Sequence, residues 1–406
     1  MFQVEPPRTD VCLCRASTMV AEGSKYSHLN SSYFYDVDVV HGWGNRSFFT
    51  FFSEFNRTSP SLGRLEATIF FLLTVISLVG NIVVFVQLVL HRRNRGTTTC
   101  FICNLTIADL CFTGVAPFIA VTRITEKWVF GSEMCSLLVY MGSVCAFVDI
   151  WTMTLIGIDR YMCIVRRSRT RLTPRLSILI LGVVWAFAFI SFSPLAVYFN
   201  VRSVPMGTTK VDICTLVWPR QNKFKVSFLF TSVVCICGFI LPLLLLSWSY
   251  FQIFRKFWNI RGVIIQNQRN LSSKWMNSLN VRRRRDIRDF KVVKTLFLLV
   301  LLFGIMWSPI FISMILILYD GAADTMIMSS QVFIATYCVA VCNACINPFV
   351  YGIMMERLRT KLTSCVTCSR SGSSDPEPEV SPDKHDSVQV ISYGAETCAQ
   401  NPLRDP

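Results

Sequence analysis

The chain has 406 residues, of which 52% are hydrophobic and only 16% are charged, and its formal net charge is +15. Soluble globular domains carry about 25% charged residues, so this composition lacks the polar surface that a soluble fold needs. It excludes disorder for most of the chain, and it argues against a soluble nucleic-acid-binding protein, which the positive charge alone would suggest. The lipid bilayer is therefore the expected solvent.

The N-terminal tail, residues 1–64, is polar and is expected to be largely disordered. It contains three Asn-x-Ser/Thr sequons, at Asn30, Asn45 and Asn56, which are candidate glycosylation sites. Lys and Arg are enriched in cytosolic loops, and here they follow the first and third apolar stretches and precede the sixth. The tail is therefore expected outside the cell and the C-terminus in the cytosol.

Seven apolar stretches follow the tail, and each reaches the roughly 20 residues that a helix needs to cross a bilayer. In chain order they are 69–90, 100–122, 134–158, 176–199, 226–254, 295–319 and 327–355. Backbone groups in lipid must be hydrogen-bonded internally, so each stretch is expected to be a helix. The predicted fold is an all-α membrane protein, a seven-transmembrane helix bundle over residues 65–355.

Cysteines contribute to both ends of this bundle. Cys135 begins the third stretch and Cys214 precedes the fifth on the outer side, where the environment is oxidising, so we predict a disulfide between them. After the last span, residues 356–368 are expected to include a short amphipathic helix on the membrane surface, with Cys365 and Cys368 as candidate palmitoylation sites. Residues 369–406 are expected to be a disordered cytosolic tail.

The predicted spans carry an ordered set of motifs. They are Asn81 in GNIVV, Asp109 in LTIAD, Asp159-Arg160-Tyr161, Trp185, Pro242 with Tyr250, Trp307-Ser308-Pro309, and the run from Asn347 to Tyr351. In this set and order the chain resembles the rhodopsin-like (class A) G-protein-coupled receptors, over roughly residues 66–368. The resemblance implies a plasma-membrane receptor that signals through a heterotrimeric G protein.

Within that class the chain is most similar to the long-chain free fatty acid receptors of type four. The shared runs are VTRITEKW from Val121, ICTLVWP from Ile213 and MWSPI from Met306. The chain departs from those receptors at Gly238, where they have Asn, and at Phe230, where they have Trp. The resemblance implies a long-chain, polyunsaturated free fatty acid as the ligand.

For that ligand the resemblance implies that Arg123 holds the carboxylate. A guanidinium can donate two charge-assisted hydrogen bonds to a carboxylate, although an interfacial Arg that reaches toward lipid headgroups is the alternative. Glu66 could pair with Arg123, but solvation is its expected state. Four aromatic side chains are expected around the acyl chain, with packing and interfacial anchoring as alternative roles. They are Trp128, Trp218, Phe230 and Trp307.

Two carboxyl groups are expected at the bundle centre. Asp109 and Asp149 should lie beside Asn343 and Asn347, and the resemblance implies a sodium ion at Asp109. Two close carboxylates cannot both be ionised cheaply without a cation, so either sodium binds or one carboxyl group is protonated. A protonated Asp that donates to a backbone carbonyl is the structural alternative. No other metal or cofactor is expected.

A switch is expected at the cytosolic end, where Arg160 should pair with Asp159 and Asp289 and so hold the third and sixth spans together. Ligand and G protein both favour the open bundle, so each strengthens the binding of the other. The residues of this predicted switch are Asp159, Arg160, Tyr250, Asp289, Pro309 and Tyr351. The resemblance implies a Gq/11-type G protein and arrestin as partners. The arginines at 282–285 are expected to meet membrane lipids rather than nucleic acid.

Other classes of function fit the sequence less well. All four histidines lie outside the spans or at an edge, and Gly-rich phosphate loops are absent, so an enzyme is not expected. A transporter is disfavoured because no internal repeat is visible. A cationic amine ligand is not expected, because no acidic residue lies between Met134 and Val148. An orphan class A receptor for another lipid or a peptide remains the alternative.

Overall fold

The computed structural model describes residues 33–35, 47–54, 59–90, 96–166, 172–206, 209–219, 226–267, 297–298, 300–320 and 327–354. Several sequence-based predictions lie outside these residues. They are the glycosylation sites Asn30, Asn45 and Asn56, the switch residue Asp289, the surface helix over 356–368, the palmitoylation sites Cys365 and Cys368, and the C-terminal tail.

Seven helices in the described part of the chain are long and apolar enough to cross a membrane, which confirms the predicted fold class. Spans 1 to 7 are Pro60–Leu90, Thr97–Thr125, Gly131–Arg166, Pro174–Tyr198, Val226–Lys256, Val300–Asp320 and Ser330–Val350. Span 1 begins at Pro60, within the segment that the sequence analysis assigned to the tail. Its first two turns are helical, but they are too polar to be recognised as part of an apolar stretch. The helices of spans 5 and 7 continue to Asn267 and Met354.

Proline explains where two of these helices are irregular. Span 2 consists of the helices Thr97–Thr113 and Ala116–Thr125, and Pro117 stands in the first turn of the second piece. Span 5 consists of Val226–Cys235, a π-helical turn Ile236–Ile240 and Leu241–Asn267, with Pro242 just after the turn. Proline has no backbone N–H, so the regular hydrogen-bond ladder cannot continue through it, and the chain changes direction or pitch there.

Buried and partly buried polar side chains join the spans at mid-depth. Trp185 Nε1 donates to Asn104 Oδ1 at 2.8 Å, and Asn104 Nδ2 donates to Thr152 Oγ1 at 2.8 Å, which links spans 4, 2 and 3. Asn81 Nδ2 donates to the backbone carbonyl of Ala344 at 3.0 Å and links span 1 to span 7. Such bonds fix the packing of helices whose outer surfaces are uniformly apolar, where burial of apolar area alone does not select one arrangement.

Two short antiparallel pairs of strands accompany the bundle. β1 (Tyr33–Tyr35) pairs with β2 (Ser47–Phe49), and β3 (Phe199–Met206) pairs with β4 (Thr209–Leu216). The β3–β4 pair lies between spans 4 and 5, and we call the side of the bundle that carries it the hairpin end. The predicted disulfide between Cys135 and Cys214 is confirmed, and it ties span 3 to β4.

The tail is not disordered throughout, so that expectation is wrong for its last part. Residues 49–54, here called the N-terminal segment, are buried. Phe49 is the last residue of β2, and its carbonyl accepts a hydrogen bond from Thr215 Oγ1 in β4 at 2.8 Å. The Phe51 ring packs edge-on against Phe333 of span 7, at 5.2 Å between ring centroids. The N-terminal segment therefore packs against the hairpin end of the bundle.

Candidate functional site

A cavity of about 510 Å³ lies inside the bundle near the hairpin end. Spans 2 to 7, β4 and the N-terminal segment all contribute to its lining. Its described lining contains no Asp, Glu, Lys, Arg or His, and most of the lining side chains are aliphatic or aromatic. This volume is typical of small-molecule sites, and the apolar lining suits an apolar ligand.

The cavity brings together three of the four aromatic side chains that the sequence proposed. Trp218, Phe230 and Trp307 all line it, and the Trp218 and Phe230 rings lie 5.3 Å apart between centroids. Trp128 is not a lining residue. It is buried against Phe52, and its Nε1 donates to the carbonyl of Gly131 at 2.7 Å, so it supports the wall from behind.

Sequence reasoning missed the contribution of the N-terminal segment. Phe49, Phe51 and Phe52 all line the cavity, and Phe51 also packs against Phe199 at 5.2 Å. A signal was present in the sequence, because the run FFTFF at 48–52 is strongly aromatic within an otherwise polar tail. Such a run in a polar segment indicates a part of the chain that needs an apolar surface to cover it.

Arg123 lies outside the cavity wall and is fully buried, with 0% of its side chain exposed. Its Nε donates to Glu66 Oε2 at 2.7 Å and its Nη2 to Glu66 Oε1 at 3.0 Å, so the pair is bidentate. The expectation of a solvated Glu66 is therefore wrong. Arg123 Nη1 also donates to Ser330 Oγ at 3.0 Å and to the carbonyl of Phe52 at 3.1 Å. Phe52 thus contacts both Arg123 and the cavity.

The central polar residues meet as the sequence predicted. Asn347 Nδ2 donates to both carboxylate oxygens of Asp109, at 3.1 and 3.0 Å, and Asn343 Nδ2 donates to Asp149 Oδ2 at 3.1 Å. The two carboxyl groups also interact with each other. Asp149 Oδ1 and Asn347 Oδ1 are buried and accept no hydrogen bond within the described chain. These free oxygens fit a sodium ion, which prefers oxygen ligands, and they equally fit a shared proton.

At the end opposite the hairpin, Arg160 Nη2 donates to Asp159 Oδ2 at 2.7 Å and also to Thr98. Tyr250 is buried close to Gly157, so it lies against the same part of span 3. Pro309 lies in span 6, and Tyr351 lies in the helix that ends at Met354, although its side chain is not described. The predicted pair of Arg160 with Asp159 is thus present, while Asp289, the partner predicted just before the sixth span, is outside the described residues.

The sequence of this bundle matches a known family. A sequence model for the 7 transmembrane receptor (rhodopsin family) matches residues 80–351. The chain belongs to this family. It is a multi-pass G-protein-coupled receptor of the plasma membrane.

Several curated relatives are similar to this receptor over most of their length. Free fatty acid receptor 4 of Rattus norvegicus is 31% identical over 327 residues, which cover 79% of this chain and 87% of the relative. The substance-K receptor of Homo sapiens is 29% identical, over 80% of this chain and 76% of the relative. Neuropeptide Y receptor type 2 of Mus musculus is 26% identical, over 73% and 74% respectively.

Proposed function

We propose that this receptor is activated by long-chain free fatty acids. The observation that carries the proposal is the cavity, whose described lining holds no charged side chain and offers aromatic rings from the N-terminal segment and from each of spans 2 to 7. Each methylene group buried in such a site contributes about 0.8 kcal/mol, so a long acyl chain supplies most of its own binding free energy there. The name of the rat relative, free fatty acid receptor 4, supports the same ligand class.

Arg123 binds the carboxylate in this proposal, and Glu66 is its competitor. The guanidinium has its carboxylate partner already, at 2.7 and 3.0 Å, so a fatty acid must displace Glu66 to obtain the same two bonds. Phe52, which separates Arg123 from the cavity, must move at the same time. Binding then releases the N-terminal segment from Arg123 while it fills the cavity.

The remaining parts of the proposal concern the two sides of the membrane. The hairpin end faces the outside, where the tail carries glycans, and Cys365 and Cys368 carry palmitate on the inside. Ligand binding opens the Arg160 end to a Gq/11-type G protein and to arrestin. The basic loop at 282–285 lies against anionic headgroups, because each Lys or Arg near such a surface contributes about 1 kcal/mol.

The test compares fatty acids with their methyl esters in a calcium assay on wild type, Arg123→Ala and Glu66→Gln. Loss of a buried charge pair costs 2–5 kcal/mol, so Arg123→Ala should weaken the acids by roughly thirtyfold or more. Glu66→Gln should raise the potency of the acids, since a neutral amide competes less for the guanidinium. Methyl esters should be weak on all three receptors. Arg64→Ala is the control, because Arg64 is exposed near the same end.

Two outcomes contradict the proposal. The first is the absence of any response to saturating fatty acid in cells that display the receptor. The second is a response to substance K or neuropeptide Y, the ligands named by two of the similar receptors. If Arg123→Ala and Glu66→Gln changed the potency of the acids equally, fatty acids would remain the ligand class, but Arg123 would not be the carboxylate site.

A further inference from the structure

Two residues that line the cavity each carry a buried hydrogen-bonding group that has no partner within the described chain. They are the indole Nε1 of Trp307 and the phenol oxygen of Tyr337, and both atoms are buried. Both residues line the cavity. Buried polar groups in proteins are hydrogen-bonded in the great majority of cases, so two free groups in one apolar cavity need an explanation. A ligand that supplies an acceptor atom is one.

The two groups share the part of the cavity farthest from the hairpin end. Among the lining residues of spans 2 and 6, Phe112 and Trp307 lie farthest from the hairpin end. Tyr337 lies one helical turn farther from that end than Phe333, which contacts the N-terminal segment. The Phe112 ring packs against both of the others, at 5.7 Å from Trp307 and 5.7 Å from Tyr337. Trp307 and Tyr337 therefore flank one aromatic ring at the cavity floor.

The chemistry of the two groups defines what they can bind. The indole N–H only donates, whereas the phenol donates and accepts. A single oxygen with two lone pairs can accept from both, and a hydroxyl can also return its proton to the phenol. The described lining offers no cation to balance a carboxylate at this depth, and burying an unpaired charge is far costlier than burying a hydrogen-bonded hydroxyl. The floor therefore suits a neutral oxygen.

We propose that Trp307 and Tyr337 form a subsite for a neutral oxygen on the distal half of the acyl chain, so that the receptor prefers hydroxylated long-chain fatty acids. The proposal rests on the proposed fatty-acid function and narrows its ligand class. The carboxylate lies toward Arg123 and the hairpin end, and the chain runs down the cavity to the floor. An unsubstituted acid fills the same space but leaves both groups unpaired.

The experiment measures binding to the purified receptor by the ligand-induced rise in its thermal midpoint, which does not depend on the choice of G protein. Oleic acid is compared with a series of its monohydroxylated derivatives, in which the hydroxyl moves along the distal half of the chain, ricinoleic acid among them. The receptors are wild type and Tyr337→Phe, which removes only the phenol oxygen. Tyr140→Phe is the control, since its hydroxyl donates to the carbonyl of Phe189 and it does not line the cavity.

At least one hydroxylated acid should bind wild type roughly tenfold more tightly than oleic acid, the difference expected from one buried hydrogen bond made or left unmade. Tyr337→Phe should abolish most of that preference, and Tyr140→Phe should preserve it. Equal binding of oleic acid and the whole series overturns the subsite, as does a preference that survives in Tyr337→Phe. Failure of oleic acid and every derivative to bind overturns the fatty-acid function, and the subsite with it.

Discussion

Removal of Arg123 should destabilise the receptor as well as weaken its ligand. Arg123→Ala deletes four hydrogen bonds, two to Glu66 and one each to Ser330 and the carbonyl of Phe52. The substitution leaves the Glu66 carboxylate without its bidentate partner, at a place where only 15% of that side chain is exposed. It also removes the hydrogen bond that holds the N-terminal segment to span 2.

The size of the effect follows from the burial of the pair. Loss of one partner from a buried ion pair costs about 3–5 kcal/mol, because the other charge stays in a poorly solvated place. Glu66 retains some contact with solvent, so the lower value of about 3 kcal/mol applies. For a chain of this size, 1 kcal/mol corresponds to about 2–4 °C or less, which gives a midpoint lowered by about 6 °C.

The assay is thermal unfolding of the purified receptor without ligand, for wild type, each single variant and a double variant. Replacing both charges removes the unpaired carboxylate, so Arg123→Met with Glu66→Met should recover at least half of the loss seen in Arg123→Met alone. Arg64→Ala should leave the midpoint unchanged. A midpoint that Arg123→Ala does not lower refutes the reasoning. A double variant that is less stable than both singles does so as well.

Three further substitutions test other parts of the structure. Phe51→Ala removes a ring that packs against four others, and should cost about 3 kcal/mol in the same unfolding assay, whereas exposed Phe251→Ala should cost little. Asp149→Ser should change the sodium dependence of agonist binding, because it removes one of the two carboxyl groups; an unaltered sodium response would contradict a shared site. Asp289→Ala should raise ligand-independent signalling if Asp289 holds Arg160, and unchanged basal activity would exclude that pairing.

The sequence was sufficient for the features that depend on composition along the chain. Seven apolar stretches can be satisfied in lipid only as helices, so the spans were predictable. Cys135 and Cys214 were predictable as a pair because both fall on the oxidising side. The central cluster was also predictable, since Asp109 and Asp149 fall within apolar spans at similar depth.

The features that depend on tertiary packing were not predictable in the same way. Glu66 stands near the beginning of span 1, where solvation and pairing are equally compatible with the sequence. Only the approach of span 2 decides between them. The N-terminal segment is held by Phe199 and Phe333, which are distant in sequence, so its position has no local signature beyond its aromatic content. Nothing in the local sequence distinguishes Trp128, which is buried behind the cavity wall, from an aromatic residue that lines the cavity.

The N-terminal segment gives the cavity a resident competitor. Phe51 and Phe52 are joined to span 1 by only a few residues, and a group held by a short linker acts as if it were present at millimolar concentration. Any ligand that needs the space of these rings must displace a segment that is covalently attached to the receptor. Its measured affinity is then its intrinsic affinity multiplied by the fraction of time that the segment stands aside. Lengthening this tether lowers that effective concentration, so it should raise the measured affinity of every ligand that needs this space.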